Sequence, residues 1–404
     1  MKKFIVFVFL FLCSSIYVVQ AEDEFDINSN SIILIDADTN TVIYEKNSDL
    51  ISEPLSITKL LTIFLSLDRI DMDTLYEVDN EAIDMTPRVS SHISIDYNEK
   101  LSGKDLIYST AVASANDSSN ALALITYGSI SAFVDAMNNY AKSLGLYNTS
   151  FINPSGLPND NHYTTARDYA TIVREILKDQ RMLDIISTSN YEILPTNKKY
   201  ESRILANTHK MLKGDYYYDK LIGGKTGWDG KENYTLVSYA SHNDLNLIVV
   251  SMNAKTREGS YKDHKTLLDY GFENFQSLKI TKDIFEDTII ETYHRNYISG
   301  RATIKLNSDF NLLLPINVTK DDINVKLKVT NEEDVKMLKA ILQVYVNDNY
   351  VGDVEVDKTY ELFDTSFKAT TWPKIVRYFS YFSIFILIVS IILFVLKRSK
   401  IYKS

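Results

Sequence analysis

The sequence predicts an α/β (α+β) domain in which strands from both ends of the domain join one sheet around a helical middle. A small all-β domain and a membrane-spanning helix follow it. Three observations predict this. A hairpin pattern opens the domain and two strand-like runs close it, with helical periodicity between them. From about Ser277 the texture changes to short alternating runs. An apolar run from Tyr378 to Leu396 is long enough to cross a bilayer core.

Taken in order, the chain opens Met1-Lys2-Lys3, passes through apolar Phe4 to Leu12 and reaches Val19-Gln20-Ala21. A basic start, a short apolar core and a small residue at the cut position describe a secretory signal peptide over residues 1–21. The stretch is too short for a membrane helix and gives way to Glu22-Asp23-Glu24. Cys13 is the only cysteine and leaves with the signal; Leu12 before it is too bulky for a lipoprotein cleavage site. A mature chain without a thiol excludes disulfides, cysteine catalysis and a cysteine metal site. The net charge of -10 becomes -12 once Lys2 and Lys3 are removed. An acidic chain with no basic cluster outside its tail is a poor partner for nucleic acid.

The first domain is expected over residues 22–276. Ser31 to Asp36 and Thr41 to Tyr44 flank Asp38-Thr39-Asn40 and read as a hairpin. After Pro54, Ser56 opens an apolar-periodic run through Leu67, which puts Ser56 in the first turn of a buried helix. Ser102 to Leu146 is a helical region, and another helix runs from Thr165 to Leu177. Tyr234 to Tyr239 and Leu245 to Ser251 read as neighbouring antiparallel strands, closed by a helix from Tyr261 to Phe275. The β domain is expected over residues 277–368, with Asn347-Asp348-Asn349 as a turn between two of its strands. The transmembrane helix covers residues 378–396, with Trp372 and Tyr378 as interfacial anchors. Lys397, Arg398, Lys400 and Lys403 outnumber Lys374 and Arg377 across it. That bias puts the tail, residues 397–404, in the cytoplasm and the remainder on the extracytoplasmic face.

Three short motifs occur in order: Ser56-Ile57-Thr58-Lys59, Ser114-Ala115-Asn116 and Lys225-Thr226-Gly227. At average composition the first two patterns are common, while a Lys-Thr-Gly arises by chance in roughly one chain in ten of this length. The chemistry is more telling. Ser56 and Lys59 are three apart and share a helix face. An apolar helix face and a second cation at Lys225 both disfavour charged Lys59, and a lysine lowered to about 7–8 can act as a general base. A nucleophile at a helix N-terminus also turns the dipole and its own backbone N–H towards a developing oxyanion. Ser114 lies in a small-residue stretch between helices where a hydroxyl and an amide can enter a cleft, although an ordinary N-cap would look the same. Lys225-Thr226-Gly227 follows two glycines and precedes a strand, where an edge can pair with an extended peptide. A polar turn fits that local sequence nearly as well.

The motif set resembles that of the penicillin-binding proteins. The chain is similar to the D-alanyl-D-alanine carboxypeptidase family among them, from about Ser31 to Asn274. The likeness includes Ser52-Glu53-Pro54-Leu55-Ser56, Asn116 to Ala123, Phe133 to Asn138 and Asn153-Pro154-Ser155-Gly156-Leu157. It also takes in His162 to Asp168 and Asn207-Thr208-His209-Lys210. The resemblance implies a β-lactamase/transpeptidase-like domain, an antiparallel sheet flanked by helices with a helical subdomain. It implies that Ser56 attacks the carbonyl between the last two D-alanines of a peptidoglycan pentapeptide stem, that Lys59 takes its proton and that Ser114 passes one to the leaving D-alanine. Asn116 would hold the substrate amide and Lys59. Lys225 and Thr226, with Gly227, would bind the substrate's terminal carboxylate, and the backbone N–H groups of Ser56 and Trp228 would form the oxyanion hole. β-Lactams would acylate Ser56, and no cofactor or metal is called for. Three departures stand out: Ala115 replaces a glycine, Trp228 stands where some relatives have histidine, and Thr208 stands where some have arginine.

Other readings are weaker. A class A β-lactamase needs a glutamate after the second motif, and none lies between Asn116 and Asp168. A zinc peptidase could draw on His162 and Asp168, but no His-x-His or His-Glu-x-x-His occurs. A non-catalytic wall-binding scaffold would not need intact Ser56, Lys59 and Lys225. An endopeptidase of the same family stays open, since bond choice depends on cleft shape.

Overall fold

The computed structural model describes residues 25–294, 297–363 and 372–401, with side chains as far as Val389. The signal peptide, the end of the β domain near Phe367 and the basic side chains of the tail lie outside the described residues. The chain divides into two units. One runs to Leu278 and includes Asn311–Val318; the other comprises Lys279–Phe310 and the residues from Thr319 onward.

The first unit is organised by strands β1 (Ser29–Asp36), β2 (Val42–Lys46), β7 (Leu221–Trp228), β8 (Tyr234–His242) and β9 (Leu245–Ala254). They form one antiparallel sheet in the order β2-β1-β9-β8-β7, so the opening hairpin lies beside the closing one, as the sequence suggested. The reason lies in alternation. Ile33 and Ile35 of β1, with Ile248, Val250 and Met252 of β9, enter one core, while Ile32 and Leu34, with Leu247 and Val249, enter another. A sheet covered on both faces needs apolar residues at every position, which is why these strands read as unbroken apolar runs.

Helices cover the two faces. On one side lie α1 (Lys59–Leu67), the short α2 (Asn80–Asp84), α3 (Gly103–Val112), α4 (Asn116–Tyr127), α5 (Ile130–Ser143), α6 (Ala166–Ile176) and α7 (Gln180–Ile186). On the other, α8 (Arg257–Asn274) places Tyr261, Leu267 and Leu268 against the sheet. Their starts are written locally. Ser102 and Asp105 form a capping box for α3, Thr165 accepts from Asp168 N at α6, and Thr256 accepts from Gly259 N at α8. Two-stranded pairs β3 (Leu75–Glu77) with β4 (Lys100–Ser102), and β5 (Asn190–Ile193) with β6 (Arg203–Ala206), were not anticipated. They are too short to carry a period.

The structure corrects two local expectations. Lys225-Thr226-Gly227 does not precede a strand; it lies within β7, the edge of the sheet. Nor does Ser56 sit in a regular α-helical turn. Leu55–Thr58 is a tighter 3-10 turn leading into α1, entered through Leu55 at φ +52°.

In the second unit, β11 (Thr288–His294), β12 (Tyr297–Lys305) and β17 (Asp357–Leu362) form one antiparallel sheet. Strands β14 (Ile323–Thr330), β15 (Lys339–Val346) and β16 (Asn349–Glu355) form another. Asn347 and Asp348 both have positive φ, as a tight hairpin turn requires. Helix α9 (Trp372–Ile401) holds an 18-residue stretch, Trp372–Val389, apolar enough for a membrane and wholly unburied. Strands β10 (Phe275–Ile280) and β13 (Phe310–Pro315) pair with each other.

Candidate active site

The first motif sits at the start of α1, the most enclosed helix of the domain. Lys59 has no solvent exposure, and its Nζ lies 2.9 Å from Ser56 Oγ. Nζ also donates to the carbonyl of Ser155 at 2.5 Å. Burial first, and then the charge of Lys225, push the Lys59 amine well below the ordinary lysine range, against an opposing pull from Asp117. An amine whose charged form is disfavoured is therefore set against a hydroxyl that stays partly exposed.

Ser155 belongs to the Asn153-Pro154-Ser155-Gly156 loop, which the sequence marked only as part of the family likeness. Asn153 Oδ1 accepts from the backbone N–H groups of Ser155, Gly156 and Leu157 at 3.2, 2.7 and 3.1 Å. Thr62 of α1 donates to Pro154 O at 2.6 Å. Gly156 has φ +79°, and a Cβ there would lie 1.8 Å from Leu55 O. The loop thus packs against the start of the turn that carries Ser56 and is tied to α1 behind it. Gly156→Ala is expected to lower stability by roughly 3 kcal/mol, from backbone strain and the clash together. Thermal denaturation checks it, and an unshifted midpoint would mean that the loop does not pack there.

The second and third motifs meet each other. Ser114, at φ +58° in the turn between α3 and α4, accepts from Lys225 Nζ at 2.9 Å across 111 residues of sequence. Lys225 also donates to Thr226 O at 3.0 Å. It is 1% exposed, and burial lowers its amine to about 7. Leu55 and Ser114 are two non-glycine residues held left-handed on either side of this cleft, a strain that active sites commonly retain. The positions of Gly227 and Ser56 are coupled too: a Cβ on Gly227 would lie 3.0 Å from Ser56 N, so only glycine lets β7 approach so closely. Trp228, the next residue, ends β7 opposite Tyr234.

Asn116 begins α4 with its N–H on Ser91 O, and its Oδ1 is buried without a hydrogen-bond partner among the described residues. Among the described residues Lys59 Nζ bonds Ser56 and Ser155, and the expected Asn116 contact with Lys59 is not among these bonds. Thr226 Oγ1 donates to Thr208 Oγ1 at 2.7 Å. The two zinc candidates are engaged elsewhere. His162 Nε2 bonds Thr58 Oγ1 at 3.1 Å and burial holds the ring at about 4, while Asp168 accepts from Thr149 Oγ1 at 2.8 Å.

The supporting contacts of several residues escaped the sequence reading. Tyr169 of α6, fully buried, donates its hydroxyl to Ile57 O inside the turn that carries Ser56. Asp117 accepts from the N–H groups of Ile93 and Ile95 and pins that segment to α4. His209 Nε2 donates to Val237 O at 3.1 Å, and Val237 is the cross-strand partner of Lys225. Periodicity marks such positions as buried and says nothing of what their polar ends touch.

A buried lysine against a serine hydroxyl at a helix start, facing a second serine–lysine pair beside an edge strand, defines a serine-type peptidase on a transpeptidase-like fold. The chain belongs to the D-alanyl-D-alanine carboxypeptidase family, whose model matches residues 18–256. It is 33% identical over 260 residues to D-alanyl-D-alanine carboxypeptidase DacF of Bacillus subtilis, covering 63% of this chain and 64% of that one. Over 323 residues it is 31% identical to DacA of Haemophilus influenzae, covering 75% and 77%. Among solved structures, penicillin binding protein 5 from Haemophilus influenzae shares the fold with a TM-score of 0.71. That match has 24% identity and covers 83% of this chain and 97% of that one.

Proposed function

We propose that this chain removes the terminal D-alanine from peptidoglycan pentapeptide stems through an acyl-enzyme on Ser56. The observation that carries the reading is the fully buried Lys59 amine, 2.9 Å from Ser56 Oγ. Neutral Lys59 turns its lone pair to the serine O–H and takes that proton as Oγ attacks the penultimate carbonyl. The negative oxygen of the tetrahedral intermediate faces the backbone N–H groups of Ser56 and Trp228. The C–N bond then breaks, and the departing D-alanine receives a proton through Ser114, which the Lys225 bond orients. Water attacks the ester, releases the tetrapeptide and restores Ser56. Thr226 offers its hydroxyl to the terminal carboxylate, with Thr208 behind it. Lys225 is too buried to reach out, so its amine acts by holding Ser114 and the Thr226 carbonyl in place. Asn116, with an unspent Oδ1, receives a substrate N–H.

β-Lactams present a strained amide with a neighbouring carboxylate to the same groups and would acylate Ser56. Labelled penicillin is expected to attach covalently to the wild type and not to Ser56→Ala, and D-alanine should be released from a pentapeptide. Labelling without release would replace the enzyme reading with that of a sensor or scaffold. The apolar, unburied α9 supports a single-pass anchor that holds the enzyme at the extracytoplasmic membrane face with its C-terminus in the cytoplasm.

A further inference from the structure

Two histidines and two serines interrupt the apolar layer between the sheet and α8. Leu236 and Ala240 of β8, with Leu247 and Val249 of β9, turn to this layer, and Ser238 and Ser251 stand in the same alternation. His209, Ser238, Ser251 and His264 are all buried. They form one chain. His209 Nε2 lies 3.1 Å from Val237 O and 3.2 Å from Ser238 Oγ. His264 Nδ1 lies 2.8 Å from Ser238 Oγ, and its Nε2 lies 2.8 Å from Ser251 Oγ. A carbonyl only accepts, so His209 carries its proton on Nε2. Burial lowers that ring to about 4, which leaves it neutral at ordinary pH. Apolar side chains would fill such a layer without the desolvation that four polar groups incur.

What His209 touches explains the exception. Val237 is the cross-strand partner of Lys225. Gly224, the residue before Lys225, is backed by the same ring: a Cβ there would lie 3.0 Å from His209 Nε2 and 1.9 Å from Val237 O. One imidazole therefore meets both the residue preceding Lys225 and the residue opposite it. Lys225 Nζ in turn reaches Ser114 at 2.9 Å, so a small movement of β7 is felt at the second motif. Thr208, beside His209, is anchored separately. Its N–H donates to Val112 O at 3.2 Å, and its carbonyl accepts from the Tyr261 hydroxyl at 3.3 Å. The Thr226–Thr208 contact thus has supports of its own.

We propose that His209, oriented by Ser238 and His264, is a positioning residue for the acyl transfer: the buried chain fixes β7 so that the Lys225 amine meets the Ser114 hydroxyl. The role rests on the carboxypeptidase reading above and adds to it residues that never touch substrate. Ser114 serves the leaving group, so the contribution of the ring falls on the chemical step and spares substrate binding.

The test follows acylation of the full chain in detergent by labelled penicillin over a range of concentrations, which separates the limiting rate from the apparent binding constant. His209→Leu should lower the limiting rate by about tenfold to a hundredfold, the scale of a small misplacement, and change the binding constant less than about threefold. His209→Gln, whose amide N–H can stand near the position of Nε2, should recover most of the rate. Ser238→Ala should lose part of it, and should add little to His209→Leu, since both act through one chain. The glutamine and alanine variants carry the same readout if the leucine variant does not fold. A ring that serves stability alone would lower Tm while the folded protein acylated at the wild-type rate. That result, or a glutamine variant no faster than a folded leucine one, overturns the positioning role and leaves the enzyme reading intact. A wild type that takes no label overturns both.

Discussion

Replacing Lys59 with methionine is expected to slow penicillin acylation of Ser56 by about 10³-fold, within the 10²–10⁴ range typical of a lost general base. Methionine matches the buried shape without an amine, so the variant should fold and the loss should be chemical. Arginine should fail equally, because its guanidinium does not give up a proton in a protein. The pH profile gives an independent reading. Lys59 acts when neutral, and burial and the charge of Lys225 hold its amine well below the lysine range. Wild-type acylation should therefore persist far below the ordinary lysine pKa and fall only as pH drops through the depressed value. The residual rate of the methionine variant should lack that step. A methionine variant acylated at the wild-type rate would remove Lys59 from the mechanism.

The second large effect concerns stability. Burial lowers Lys225 from 10.5 to about 7. Between those values the unfolded chain holds a proton that the folded one lacks, so wild-type stability should rise with pH across this window and level off on either side. At ~1.4 kcal/mol per pKa unit, the full change amounts to at most ~5 kcal/mol. Lys225→Met removes this dependence. Its stability relative to wild type should be greatest at about pH 6 and decline by a few kcal/mol towards about pH 10, as read by urea denaturation. The same variant should be poorly acylated, since Ser114 loses its partner. A stability difference that does not change with pH would mean that Lys225 keeps its charge in the folded protein.

Both effects show how differently the parts of the site could be read in advance. Ser56 and Lys59 were legible as a pair because three residues of helix place them on one face whatever surrounds them, and the 3-10 turn preserves that proximity. The strands β1, β8 and β9 were legible because a doubly covered sheet writes its burial into every residue. The third motif was misplaced by a few residues, since glycines beside a strand look like a turn until a neighbour pairs with them. The helical middle was recognised as helical. The β5–β6 pair beyond it was not, because four-residue strands carry too little pattern.

By itself, the amino-acid order determined the family, the pairing of Ser56 with Lys59, the alternation of strands and helices, and an apolar segment fit for a membrane. Each of these is encoded within a few neighbouring residues, where dihedral preference and spacing suffice. Only the tertiary structure decided that Lys225 reaches Ser114, that the Ser155 carbonyl holds Lys59 and that Tyr169 braces the turn carrying Ser56. Those contacts join segments about a hundred residues apart in most cases, and they are set by how the buried faces pack together rather than by any local rule.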